Sequence, residues 1–169
     1  SPAVILALGK FAANSARQAV QIYSRASRFR QELTCLLAWN LRQPGAPTEG
    51  EIRSADEQEP TAILIALDAN TALPEEGQGA EAYRQALQAT LHNSNELLRI
   101  IKSSLYEMRS HDRLIRAGWD GPDILVNLYL LLDAGDPVAA GAFFPLLSQV
   151  IEAAVEDGRC RLHLLIQTA

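Results

Sequence analysis

The chain has 169 residues, 48% hydrophobic and 21% charged, which is the composition of one globular domain with a full core and excludes disordered and fibrous classes. Its formal net charge of -5 lacks the basic footprint of nucleic-acid-binding proteins, and no apolar run approaches the roughly 20 residues of a membrane span. Its two cysteines, Cys35 and Cys160, lie in or beside apolar segments and are predicted core residues, which favours a reducing, cytoplasmic setting.

Five apolar runs of strand length occur along the chain, separated by segments of helical periodicity. They are nearly continuous in Val, Ile and Leu, as is typical of parallel strands covered on both faces. The sequence therefore predicts an α/β fold: a three-layer, Rossmann-like domain whose mostly parallel sheet has about five strands, with helices on both faces. The predicted strands are residues 3–8, 34–39, 62–67, 124–132 and 161–166. The predicted core of the sheet is Val4, Leu6, Leu36, Ile63, Ile65, Leu130, Leu132, Leu164 and Ile166.

The segments between these strands predict helices and one long loop. Apolar residues recur at spacings of three and four over 12–33, and again between 83 and 108, where Asn93 and Glu96 resemble a capping box. A last helix is predicted over 142–156. Residues 42–60 are polar, mostly acidic and rich in Pro and Gly, which predicts a surface loop. We expect residues 1–169 to form a single domain, the N-terminal part of a larger protein.

Two glycine-containing segments follow predicted strands and precede predicted helices. Gly9 ends the first strand, with Lys10 and the hydroxyl of Ser15 close behind it. The segment 135–141 follows the fourth strand. Loops and helix N-termini at the carboxyl ends of parallel strands are where open α/β sheets bind anions. These segments are therefore the candidate phosphate-binding loops.

The order of these elements resembles the nucleotide-binding half of tubulin/FtsZ-like proteins, in particular the bacterial tubulin-like group. The first loop of that family is glycine-rich, around G-x-G-G-T-G, and its signature loop is G-G-T-G-S-G. Here Gly9 matches the first loop, while Gly135 and Gly141 stand near the two ends of the second. The resemblance implies nucleotide-binding positions at Gly9, Lys10, Ser15, Gly135, Asp136 and Gly141. A generic flavodoxin-like or Rossmann-like domain is the alternative fold.

Both loops depart from what phosphate binding needs. Pro137 lacks a backbone N–H, and Asp136 adds negative charge where a phosphate would lie. The sequence therefore predicts a non-catalytic interaction or scaffold module, which contacts a protein partner or itself, with no nucleic acid, membrane or cofactor. The alternative is an active nucleotide-binding domain, a GTPase or a dinucleotide-dependent protein, for which GTP would be the ligand.

A second constellation suggests a metal site. Asp68 and Asn70 follow the third predicted strand, and Asp133 ends the fourth. This pattern loosely resembles the metal-ion-dependent adhesion site of von Willebrand A domains, which implies Mg²⁺-dependent protein binding. A strand-terminal Asp that forms an Asx turn or caps a helix is the competing interpretation.

No catalytic motif is present. The three histidines, His92, His111 and His163, are scattered without metal-ligand spacing and are predicted to be surface or hydrogen-bonded residues. No serine lies in a nucleophile-elbow pattern.

Overall fold

Six strands and five helices lie in the described residues of this computed structural model, which are 1–25, 33–40, 51–52, 62–66, 79–119 and 124–168. In chain order the elements are β1 (Ala3–Leu8), α1 (Gly9–Arg25), β2 (Thr34–Asn40), β3 (Glu51–Ile52), β4 (Ala62–Ala66), α2 (Gly79–His92), α3 (Ser94–Glu107), α4 (His111–Arg116), β5 (Val126–Asp133), α5 (Pro137–Asp157) and β6 (Cys160–Gln167).

The strands form one sheet in the order β3-β4-β2-β1-β5-β6. All neighbouring strands are parallel except β3, which pairs antiparallel with β4. The chain therefore moves from β1 to one side through β2 and β4, and then returns to the other side through β5 and β6. The predicted α/β fold with a mostly parallel sheet is confirmed, and the predicted strand runs coincide closely with the observed strands.

Side chains of β1 alternate between two hydrophobic clusters, as the period of a strand requires. Val4, Leu6 and Leu8 belong to the larger cluster, which also contains the buried residues of α2, α3 and α5. Ala7 belongs to a smaller cluster with the buried alanines of α1. These alanines, at positions 12, 13 and 16, allow α1 to lie close to the strands.

The larger cluster includes one buried polar link between the sheet and α2. The indole nitrogen of Trp39 on β2 donates to Thr90 Oγ1 over 3.1 Å. The hydroxyl of Thr90 donates in turn to the carbonyl oxygen of Ala86 over 2.6 Å. The indole N–H of Trp39 and the hydroxyl of Thr90 therefore both have partners, as buried polar groups require.

Helix α5 is longer than the sequence pattern predicted. It begins at Pro137, five residues before the predicted start, and ends at Asp157; the C-cap residue Gly158 has a φ of 66°, the left-handed conformation typical of that position. By length and composition alone it could cross a membrane, with a mean hydropathy of 1.6, so the prediction that no run approaches such a length was wrong. In this fold α5 packs on α2, α3 and the sheet.

Arg109 ties several elements together at the amino edge of the sheet. Its guanidinium makes a bidentate ion pair with Asp157 at the end of α5, and both side chains are largely buried. It also donates to the carbonyl oxygens of Ile124 and Arg159, which precede β5 and β6. One side chain therefore holds α5 and the starts of two strands together.

Two sequence predictions about this fold need correction. Leu164 and Ile166 were expected in the core, but they are about half exposed because β6 is the edge strand of the described sheet. Glu51–Ile52, inside the predicted loop 42–60, is a short strand. The other residues of that loop, and the segment 26–32 of the predicted first helix, lie outside the described residues.

Candidate functional site at the switch point of the sheet

The strand order reverses between β1 and β5, and this position brings the two predicted loops together. Because β1 and β5 are parallel neighbours, their carboxyl ends meet at one edge of the sheet. Gly9 follows β1, and the segment 133–136 follows β5. Crevices at such a switch point are the usual ligand sites of open α/β sheets.

The first predicted loop is absent. Helix α1 begins at Gly9, immediately after β1, so the chain passes directly from strand to helix. Gly9 has a φ of 80°, the left-handed region that favours glycine. Ser15 lies on the exposed side of α1. The backbone of Lys10 is helical, and its side chain lies outside the described part of the structure.

The second predicted loop is a tight turn of residues 133–136 that bonds to its own chain. The Ala134 amide donates to the carbonyl of Gln167 over 2.9 Å, and the Gly135 amide donates to Asp133 Oδ1 over 2.8 Å. The Asp136 amide donates to the carbonyl of Asp133 over 3.1 Å. Three successive N–H groups that a phosphate loop would present to its ligand are therefore occupied.

Asp136 accepts hydrogen bonds from the backbone N–H groups that follow this turn. Its side chain caps α5: Oδ1 accepts from the amides of Val138 at 2.9 Å and Ala139 at 3.4 Å. Pro137, between them, has no N–H, and the amide of Ala140 donates to the Asp136 carbonyl. Every backbone donor from 134 to 140 is therefore used within the protein.

The same carboxylate also closes the space beside α1. A Cβ at Gly9 would collide with Asp136 Oδ2 and Cγ, so the carboxylate lies directly against this glycine. A bound anion would take a similar place, since helix N-termini attract negative charge. The side chain of Asp136 therefore fills the space beside Gly9 at the start of α1.

The N-terminus of α2 lies beside the start of α5. Gly79, its first residue, lies near the ring of Pro137. Glu81, in the first turn of α2, accepts hydrogen bonds from Arg84 and Gln85, and these bonds, that of Arg84 first, hold the pKa of Glu81 below its ordinary value. The charge of Glu81 is thus paired with that of Arg84.

The structure gives the other predicted ligand positions different roles. Gly141 is buried inside α5, where a Cβ would collide with the backbone of Tyr83 on α2, so this glycine serves helix packing. Asp133 forms the Asx turn described above. Asp68 and Asn70 lie outside the described residues, and the described residues contain no group of three acidic, histidine or cysteine side chains placed for a metal.

The histidines and cysteines also lie apart from this edge. His92 and His111 are exposed, while His163 bonds Asn127 Oδ1 over 3.0 Å and stacks on Tyr129. Both cysteines are half-buried free thiols whose pKa values are raised, chiefly by burial.

Sequence reasoning placed Asp136 at the site but missed its contact with Gly9 and its capping role. The capping role had a local signal, because Asp followed by Pro is a strong helix-start pattern. The contact with Gly9 joins segments far apart in sequence and has no local signal.

Comparison with protein-family models, curated proteins and solved structures finds no match to the chain. The resemblance to tubulin/FtsZ-like proteins therefore remains a prediction from the two loops, and the function has to be argued from the geometry.

Removing the carboxylate of Asp136 should destabilise α5. We expect Asp136→Ala to lower the free energy of unfolding by about 1 kcal/mol, the usual worth of an N-cap. Asp136→Asn is the matched control, because an asparagine side chain also caps helices, and it should retain most of that stability. Urea unfolding followed by circular dichroism measures both, and an Asp136→Ala variant as stable as the parent would show that the cap contributes nothing.

Proposed function

We propose that this chain is a non-catalytic interaction module built on a three-layer, Rossmann-like domain whose nucleotide site has been closed. The proposal is supported by one observation: every backbone N–H from residue 134 to 140 already donates to an acceptor within the protein. Phosphate loops depend on free backbone N–H groups, and a nucleotide here would have to displace the bonds that these groups already make.

The layering is part of the proposal. The two hydrophobic clusters and the alternation of β1 between them support helices on both faces of the sheet. The strand order around β1, with its reversal between β1 and β5, is that of doubly wound folds. A tubulin-like ancestry would account for the two glycine-containing segments, at Gly9 and at 135–141, that lie side by side at this point, and a cytoplasmic setting agrees with the two free thiols.

The rival function, an active nucleotide-binding protein, would need those donors free. Breaking several hydrogen bonds and displacing a carboxylate from a helix N-terminus opposes binding, because each charge-assisted bond is worth about 1.5–3 kcal/mol. The described site offers carboxylates at Asp133 and Asp136, which repel a polyphosphate.

Calorimetric titration with GTP, ATP and NAD, each with and without Mg²⁺, tests this proposal. We expect no saturable binding up to about 1 mM, since the site retains little affinity once its donors are used. The matched variant is Asp136→Ala, which removes the capping carboxylate and so frees the amides of Val138 and Ala139 at the start of α5. Micromolar binding of any of these nucleotides to the parent chain would favour the rival function.

A further inference from the structure

We draw no further inference here: the strongest candidate, the exposed apolar stripe of Phe144, Ile151 and Val155 on the outward side of α5, carries none, because nothing in the described part of the structure shows what covers it.

Discussion

Replacing Arg109 with alanine is expected to lower the free energy of unfolding by about 3 kcal/mol, because it leaves the largely buried carboxylate of Asp157 without its partner. The same change removes the donors to the carbonyls of Ile124 and Arg159, so the starts of β5 and β6 lose their common anchor. Urea unfolding of the parent and the variant measures the difference.

Two variants separate this role from a general charge effect. Arg109→Lys keeps the charge but cannot make the bidentate pair, so an intermediate loss is expected. Arg99→Ala removes a pair with Glu96 in which both side chains are exposed, and it should leave the unfolding midpoint unchanged. Equal effects of Arg109→Ala and Arg99→Ala would refute the anchoring role of Arg109.

The second large effect is expected at Gly141, where alanine should destabilise the fold by about 2 kcal/mol despite its better helix propensity. The added Cβ would collide with the Tyr83 carbonyl and lie 3.1 Å from the Cβ of Ala86, forcing α5 and α2 apart. Because the obstacle is backbone, a side-chain rotation cannot relieve it.

Gly79→Ala is the matched control for this substitution. Gly79 is also helical, but a Cβ there would meet only atoms of Pro137 at 3.9 Å, which is ordinary contact. We expect Gly79→Ala to be neutral or slightly stabilising when the thermal unfolding of the parent and of both glycine variants is compared. A Gly141→Ala variant at least as stable as the Gly79→Ala variant would show that the two helices do not approach at Gly141.

The strands could be predicted from the sequence because their signal is local. Continuous Val, Ile and Leu runs predicted all five parallel strands of the sheet. Leu36 on β2, which was predicted in the core, is buried. The exposure of Leu164 and Ile166 could not be predicted in this way. It depends on β6 lying at the edge, and the order of strands is set by pairing between distant segments.

The candidate site shows the same division. Asp136 followed by Pro137 is a local helix-start signal, so the beginning of α5 at Pro137 could have been predicted from the sequence. The sequence analysis predicted the start at residue 142 instead. The contact of the Asp136 carboxylate with Gly9 could not be predicted from the sequence, because it arises only when β1 and β5 pair as neighbours in the sheet. The packing role of Gly141 likewise needs the position of α2.

The closure of the switch point by Asp136 is tested most directly by nuclear magnetic resonance, with Mg²⁺ and GTP titrated into the isotope-labelled chain. The account predicts that the amide signals of Gly9, Gly135, Val138 and Ala139 stay in place up to about 1 mM GTP, since their surroundings are already filled by the protein. Saturable shifts of these four amides at micromolar GTP would contradict it and identify a working nucleotide site.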